Sequence, residues 1–165
     1  MFKQKLPKQE QGFTLVEVLI AILIATIFVT LAMQAVVIAA LFKARAKQYA
    51  EATTWIQENS EFVRYRASEY EKSASPYSSK CSATTATDGF AAGLLTDIGG
   101  TPYTSSKTIS GKGFTLTRTG DYTNSSDPYK IIKIDYTVAP SDGGSAIASL
   151  HTEVIPNAAF NCPAQ

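Results

Sequence analysis

The sequence contains few of the residues that build catalytic and metal sites. Its 165 residues include one histidine, His151, and two cysteines, Cys81 and Cys162. There is no P-loop, dinucleotide-binding glycine fingerprint, CxxC pair or HExxH motif. His151, Asp135 and one of many serines could be drawn as a triad, but no G-x-S-x-G nucleophile elbow is present. We therefore expect no enzymatic activity, no catalytic residue and no cofactor, and we interpret His151 as an outward-facing strand residue.

An excess of charge of either sign is also missing. After Phe42 the chain has 12 lysines and arginines against 12 aspartates and glutamates. This balance does not favour a nucleic-acid partner, which would select for a basic surface. The acidic residues Asp121, Asp127 and Asp142 lie near predicted turns but lack the spacing of an EF-hand. No metal site is predicted.

Charge is almost absent from one long segment. Glu17 is the only ionisable side chain between Phe13 and Phe42, and Val18–Phe42 is a run of 25 uncharged residues. This exceeds the roughly 20 apolar residues that cross a bilayer and predicts a single membrane-spanning helix. The run is too long for an ordinary cleaved signal peptide and has no A-x-A-like site after it. Three lysines precede it and three basic residues follow closely, so charge alone leaves its orientation open.

Glycine and proline are missing from Phe13 to Ser75, which favours one long helix over about Phe13–Lys72. Pro76 lies in the sequence "SASPYSS" and is expected to end it. Beyond Phe42, apolar or small residues recur three or four positions apart, as in one buried stripe of an amphipathic helix. The residues of this stripe are Tyr49, Ala52, Ile56, Val63, Ala67 and Tyr70, widened by Trp55 and Phe62.

The second half of the sequence predicts an antiparallel sheet. The segment from Ser73 to Asp127 is expected to be a long, loop-rich connection with one strand, Gly113–Thr119. Apolar residues alternate in Tyr129–Ala139 and again in Ala146–Ile155, on either side of the turn sequence "PSDGGS". These two segments predict a hairpin. We therefore predict an α+β fold in which the long helix packs on an antiparallel sheet of about three or four strands.

The two cysteines stand 81 positions apart, without metal-ligand or redox-motif spacing. A Cys81–Cys162 disulfide is the simplest interpretation, and two buried free thiols are the alternative. A disulfide would favour an oxidising compartment for the part of the chain beyond the apolar run. The Asn124-Ser125-Ser126 triplet matches a glycosylation sequon, a pattern that also occurs by chance.

The start of the apolar run resembles a known motif. A lysine-containing leader, then Gly12-Phe13-Thr14-Leu15-Val16-Glu17 and an unbroken apolar helix, is similar to the N-terminus of type IV prepilins and type II secretion pseudopilins. The resemblance implies that a prepilin peptidase cuts between Gly12 and Phe13 and methylates the new amine of Phe13. It also implies that Glu17 directs assembly by pairing with the cationic amine of a neighbouring subunit.

The resemblance implies a structural function. We expect a type IV pilus subunit for motility, adhesion or DNA uptake, and a minor pilin in particular, because major pilins commonly have a proline within the apolar helix and this sequence has none. A minor pseudopilin of a type II secretion system is one alternative, and a tip module that binds DNA or surfaces is another. The implied partners are the prepilin peptidase, other pilins and the assembly platform with its motor ATPase.

The resemblance also implies how the chain is divided. Residues 1–12 would be a removable leader, 13–42 the transmembrane and assembly half of the helix, and 43–165 a periplasmic or extracellular head. The protein would be stored in the bacterial inner membrane and then enter a surface filament. Within 13–42, Ala21 and Ala25 form a small-xxx-small pair, a pattern that suits helix contacts in lipid. The polar residues Thr26, Thr30 and Gln34 lie four apart on one face and suit the same contacts.

Overall fold

A computed structural model describes residues 12–73 and 77–163. Its contacts divide the chain into two units, one ending at Lys43 and one beginning at Ala44. The long helix predicted from the absence of glycine and proline is confirmed as α1, Leu15–Glu69. Within the first unit, the side chains of α1 are all exposed. Pro76, which was expected to end the helix, lies outside the described residues; the left-handed backbone of Glu71, with φ of 56°, follows the last helical turn.

In its described residues, the second unit contains four β-strands and a short helix besides its part of α1. The strands are β1 (Tyr103–Ile109), β2 (Lys112–Asp121), β3 (Ile132–Pro140) and β4 (Ala148–Val154). They form one antiparallel sheet in the order β1-β2-β3-β4. Short 3₁₀ helices lie at Ser79–Ser82, Ala86–Asp88 and Asn157–Asn161, and helix α2 spans Phe90–Asp97. The predicted α+β class and the β3–β4 hairpin are confirmed.

The core lies between α1 and one face of the sheet. Alternation along β3 buries Ile132, Ile134, Tyr136 and Val138, as the sequence predicts. The helix contributes Ala52, Ile56 and Val63 to the same cluster, each at most 3% exposed. The inner face of β2 contributes Phe114 and Leu116. The head is therefore an amphipathic helix packed on an amphipathic sheet, where each apolar face covers the other.

The predicted loop between Ser73 and Asp127 is wrong in two places. It contains α2, whose apolar residues Phe90, Ala91, Leu94 and Leu95 are buried at helical spacing. It also contains β1, a strand whose only buried residue is Ile109. Because β1 is a polar edge strand, it has no alternation to reveal it. It exists because β2 pairs with it, through a two-residue turn in which Ser110 and Gly111 both have positive φ.

Two aromatic residues that were assigned to the buried stripe are exposed. Tyr49 is 51% exposed and Phe62 is 47% exposed. Tyr49 lies on the sheet-facing side of α1, but it precedes Ala52, the first buried helix residue, and about half of its surface stays exposed. Phe62 is turned about 100° away from the buried Val63 because an α-helix has about 3.6 residues per turn. Trp55, in contrast, is 9% exposed and belongs to the core as predicted.

Tyr70, the last residue of the predicted stripe, fixes α2 against the end of α1. Its hydroxyl lies over the backbone of Gly93, where an added Cβ would come within 1.9 Å of it. Only glycine leaves room for this contact. Burial is the main cause that raises the pKa of Tyr70, to about 12. Arg66 of α1 joins the same two helices through a two-point ion pair with Asp97, at 2.9 and 2.5 Å.

The least expected core residue is Arg118 on the inner face of β2. It is 1% exposed, and no carboxylate pairs with it among the described residues. Its guanidinium donates to the Asn59 side chain at 3.0 Å and to the carbonyl of Ile98, and its centre lies 4.6 Å from the centroid of the Tyr103 ring. Ile98 caps the C-terminus of α2, where backbone carbonyls carry partial negative charge. Desolvation lowers the pKa of Arg118.

Candidate functional site

The candidate site of the first unit is the beginning of α1. Thr14 is the N-cap: its hydroxyl accepts a hydrogen bond from the backbone N–H of Glu17 at 3.3 Å, and its carbonyl accepts from the same N–H at 3.0 Å. Sequence reasoning missed this role, although Thr-x-x-Glu is the pattern of a capping box. The cap fixes the start of the helix, so Glu17 lies in its first turn. An anionic side chain is favourable there because of the helix dipole.

Glu17 shares one face of α1 with the residues predicted for helix contacts. Phe13, Glu17, Ala21 and Ala25 follow one another at intervals of four and line one shallow groove together with Val18 and Ile22. The lining is almost wholly apolar apart from the Glu17 carboxylate. Phe13 itself is 82% exposed. The structure thus places a lone anion, the residue at the predicted cleavage point and a small-residue pair on one surface.

The threonines predicted for helix contacts behave differently. Thr26 donates its hydroxyl to the carbonyl of Leu23 at 2.9 Å, and Thr30 donates to the carbonyl of Thr26 at 2.8 Å. Both hydroxyl protons are therefore used within the helix, and only the oxygen lone pairs face outward. This arrangement lowers the cost of placing the two threonines in an apolar environment. It also removes them as donors to a neighbouring helix.

The surface around this site is apolar throughout. From Leu15 to Phe42 the large hydrophobic side chains are between 46% and 83% exposed. Among the described residues, α1 is the one helix long and apolar enough to cross a membrane. A soluble monomer rarely exposes so large a contiguous apolar surface. This surface must therefore be covered by lipid or by other protein.

A comparison with known protein families identifies the segment. The family "Prokaryotic N-terminal methylation motif" matches residues 7–33, which include Gly12, Phe13 and Glu17. The match supports a type IV pilin-like or pseudopilin protein and covers the first part of the apolar helix. No curated protein and no solved structure matches the chain significantly. The similarity to known proteins is therefore confined to residues 7–33, and the fold of the second unit agrees with the predicted α+β class.

A disulfide lies at one end of the second unit. Cys81 and Cys162 are bonded, with their Cα atoms 5.4 Å apart. The bond ties the 3₁₀ helix Ser79–Ser82 to the end of Asn157–Asn161, beside a small cluster formed by Phe90, Ala158 and Ala159. It therefore fixes the C-terminal segment, which has few buried residues of its own.

Removing this disulfide is expected to lower the free energy of unfolding of the head by about 4 kcal/mol, because the closed loop spans 81 positions. The change to make is the double replacement Cys81→Ser with Cys162→Ser in the full chain in detergent. Urea unfolding followed by the fluorescence of Trp55, the single tryptophan, reports the head core. Wild-type protein with its disulfide reduced is the second sample and should unfold at the same urea midpoint as the double variant. A midpoint equal to that of the oxidised protein in both samples would contradict the prediction.

A cavity of about 490 Å³ adjoins the disulfide. Its polar lining comes from Lys80, Asp127, Tyr129 and Lys130. Lys130 and Asp127 form an ion pair at 3.6 Å, so the two lysines do not add up to a strongly basic surface. The geometry agrees with the neutral charge balance read from the sequence and gives no positive support to nucleic-acid binding.

His151, Asp135 and Asp121 lie on the surface of the second unit. His151 lies opposite Asp135 in the β3–β4 register, with His151 Nδ1 2.6 Å from Asp135 Oδ1, and both side chains are 57% exposed. The prediction of an outward-facing strand histidine is confirmed. The oxygens of Asp121 accept hydrogen bonds from Asn124 and Thr123, which lower the pKa of that carboxyl to about 2. Within the described residues, no His, Cys, Asp or Glu cluster could hold a metal ion.

Proposed function

We propose that this chain is a minor pilin, a structural subunit that is processed by a prepilin peptidase and assembled into a type IV pilus. The observation that carries the proposal is the methylation motif on a capped, fully exposed apolar helix with Glu17 in its first turn. Such a helix is stable in a bilayer before assembly and in a bundle of like helices afterwards. The absence of a proline from the apolar half favours a minor subunit over the abundant shaft subunit.

The proposal divides the chain by role. Residues 1–12 are the leader, of which residues 1–11 lie outside the described structure. Residues 13–42 are the transmembrane and assembly segment, and 43–165 are the head on the far side of the inner membrane. The disulfide supports a location of the head outside the cytoplasm, since such bonds persist in oxidising compartments. The partners are the peptidase, other pilins and the assembly platform, and the final location is the pilus at the cell surface.

Glu17 is the assembly residue in this proposal. A lone carboxylate in the bilayer costs about several kcal/mol, so such a residue usually has a functional partner. Cleavage after Gly12 creates a cationic amine on Phe13, which becomes a new positive group of the subunit. Pairing of Glu17 with the N-terminal amine of a neighbouring subunit would neutralise both charges. This pairing favours insertion of each subunit at a defined height.

The mass and N-terminal sequence of the mature protein test the proposal. Removal of the first 12 of 165 residues leaves 153, and the first of these should be N-methyl-phenylalanine at position 13. The protein should be purified from a host that contains a prepilin peptidase, with a peptidase-deficient host as control. Protein from the control host should retain its leader. A mature protein that begins at Met1 in both hosts would overturn the proposal.

A minor pseudopilin of a type II secretion system is the second candidate, favoured by the same uninterrupted apolar helix and by the sequence Glu17–Ala21. The two candidates differ in the filament that contains the protein. A pilin should be recovered in filaments sheared from the cell surface. A pseudopilin should remain with the envelope, and its loss should block release of folded proteins. The location of the protein therefore distinguishes a pilin from a pseudopilin, while both candidates predict the same cleavage and methylation.

A further inference from the structure

The cavity beside the disulfide contributes nothing to the proposed assembly function. It lies wholly in the head, and its lining comes from the 3₁₀ helix Ser79–Ser82 and its flank, from residues 127–130 before β3 and from residues 159–163. Its volume of about 490 Å³ is in the range of pockets that bind small molecules. Cys81 and Cys162 both line it, so the disulfide holds two of its walls together. Such a cavity is a candidate binding site.

Lys80 is the basic residue of this cavity that lacks an ionic partner. Within the described part of the chain it forms no ion pair, whereas Lys130 lies 3.6 Å from Asp127. Lys80 is half-buried, and its Cε would lie 3.1 Å from a Cβ added at Gly93 of α2. The aliphatic stem is therefore packed on α2, which limits where the ammonium can go.

The charges around the cavity sum to one positive unit. Lys80 and Lys130 contribute two positive charges and Asp127 contributes one negative charge. Because Asp127 and Lys130 compensate each other, the uncompensated charge is the Lys80 ammonium. A single ammonium matches a ligand with one negative charge. A nucleic acid, in contrast, is bound by several basic residues that follow its phosphates.

Tyr129 gives the cavity an aromatic wall whose position is fixed from both ends. Its hydroxyl donates to the carbonyl of Thr84 at 3.4 Å, and its own carbonyl accepts from the N–H of Ala91 at 3.1 Å. Gly89 lies so near this backbone that an added Cβ would come within 2.6 Å of the Tyr129 oxygen. Tyr129 is 36% exposed, so a ligand can reach it. A ring that is already fixed loses little entropy when a ligand packs on it.

Asp127 supplies hydrogen-bond acceptors. One of its carboxylate oxygens accepts the N–H of Tyr129 at 3.1 Å, and the other lies 3.6 Å from Lys130 Nζ. A carboxylate has about four lone-pair sites in all, so acceptor capacity remains for the hydroxyl groups of a ligand. A second cation is a poorer match, because Lys130 already neutralises this carboxylate. The cavity therefore combines one uncompensated cation, one aromatic ring and acceptors for hydroxyl groups.

We propose that this cavity binds a hexuronate, a sugar with one carboxylate, as a unit of an acidic polysaccharide. The ammonium of Lys80 pairs with the sugar carboxylate, and Asp127 accepts hydrogen bonds from the sugar hydroxyls. The ring of Tyr129 packs on the C–H face of the sugar. Two other anionic ligands match less well. An amino acid brings a cation to the neutralised Asp127, and a phosphate ester carries about two negative charges at neutral pH.

This inference goes beyond the proposed function and does not depend on it. One copy of the chain contains the whole site, and no residue of the apolar half of α1 takes part in it. In a minor pilin, such a site attaches the filament to acidic polysaccharide at a surface.

A second cavity of the head, of about 470 Å³, also adjoins Cys81 and provides a matched comparison. Its lysine, Lys72, pairs with Glu69 at 2.7 Å. Its carboxylate, Glu71, accepts a hydrogen bond from the Ser78 hydroxyl at 2.7 Å. Both charged groups of the second cavity thus have partners within the head. Lys72 is therefore the control lysine for Lys80.

The first test compares the binding of two matched sugars to the full chain, in a detergent without a sugar headgroup, by saturation-transfer NMR titration. Methyl glucuronoside carries the carboxylate, and methyl glucoside has the same ring without it. The glucuronoside should bind at least about tenfold more tightly, because a charge-assisted hydrogen bond forms only with the carboxylate. Equal affinities, or no detectable binding of the glucuronoside, would overturn the proposal. Tighter binding of glucose 6-phosphate than of the glucuronoside would overturn the choice of a carboxylate.

The second test changes the residues that carry the proposal. Lys80→Gln should lower the affinity for the glucuronoside at least about tenfold and leave the affinity for the glucoside unchanged. Lys72→Gln should bind both sugars like the wild type. Tyr129→Ala should weaken the binding of both sugars, because the ring packs on either. The same glucuronoside affinity in Lys80→Gln and Lys72→Gln would reject the site. Urea unfolding followed by Trp55 fluorescence verifies that each variant has a native head.

Failure of this inference can be distinguished from failure of the proposed function. Processed protein in sheared filaments that binds no uronate would reject the site and keep the pilin assignment. Uronate binding by a protein that retains its leader in a host with a prepilin peptidase would keep the site and reject the pilin assignment.

Discussion

Glu17→Ala is expected to leave cleavage and methylation unchanged and to reduce filament assembly at least about tenfold. The carboxylate follows the predicted cleavage point by five residues and lies on one groove with Phe13, Ala21 and Ala25. It is the single charge in an otherwise apolar surface, so a neighbouring amine that meets it in low dielectric is strongly attracted. Without the carboxylate, an incoming subunit still has the apolar surface but no charged group that fixes its height.

The measurement is the ratio of processed protein in sheared filaments to processed protein in membranes. Glu17→Gln retains the size and hydrogen bonding of the side chain without its charge. It should lower the ratio of filament to membrane protein as much as Glu17→Ala does. Val16→Ala, which shortens an exposed apolar residue in the same turn, should assemble close to wild type. If Glu17→Ala entered filaments as efficiently as Val16→Ala, charge pairing would have to be abandoned as the role of Glu17.

Arg118→Ala is expected to destabilise the head by about 5 kcal/mol, a large share of the stability of a typical domain. The substitution empties the space of a side chain that is 1% exposed. It also removes the donors to Asn59 and Ile98 and leaves both acceptors without those bonds. A buried charge without a carboxylate partner is itself destabilising, so the change in the free energy of unfolding depends on what replaces Arg118. A replacement that fills the space with apolar atoms should cost less than one that leaves a cavity.

Arg118→Met is the matched variant, because methionine fills most of the space and carries no charge. It should cost clearly less than Arg118→Ala, since the cavity is avoided and only the unpaired acceptors remain. Arg118→Lys should lie between them, because an ammonium cannot reach Asn59 and Ile98 at once with the planar geometry of a guanidinium. Urea unfolding of the full chains, followed by Trp55 fluorescence, gives the free energy of unfolding of each of the three variants. Equal midpoints for the alanine variant and the wild type would show that Arg118 does not hold this core together.

Much of the fold could be predicted because its main elements have local signatures. The absence of glycine and proline predicts α1, and alternation in Ile132, Ile134, Tyr136 and Val138 predicts the inner face of β3. The α2 signal was also present in the sequence, as Phe90, Ala91, Leu94 and Leu95 follow helical spacing. It was missed because the surrounding serines, threonines and glycines suggest loops.

Other features have no local signature. β1 exposes nearly all its residues and is a strand because β2 pairs with it along seven positions. Arg118 occurs in the sequence "TLTRT", where an arginine would normally be placed on the solvent side of a strand. Its burial depends on Asn59, Ile98 and Tyr103, which come from three distant parts of the chain. No window of sequence contains that environment.

The sequence by itself determined the long apolar helix, the methylation motif and the α+β class. These features depend on residue type and spacing along a short segment. The tertiary structure alone decided that Tyr49 and Phe62 are exposed, that Arg118 is buried and that Cys81 is bonded to Cys162. The physical reason is that burial and pairing depend on where the sheet ends over the helix, and that boundary is set by contacts between residues far apart in the chain.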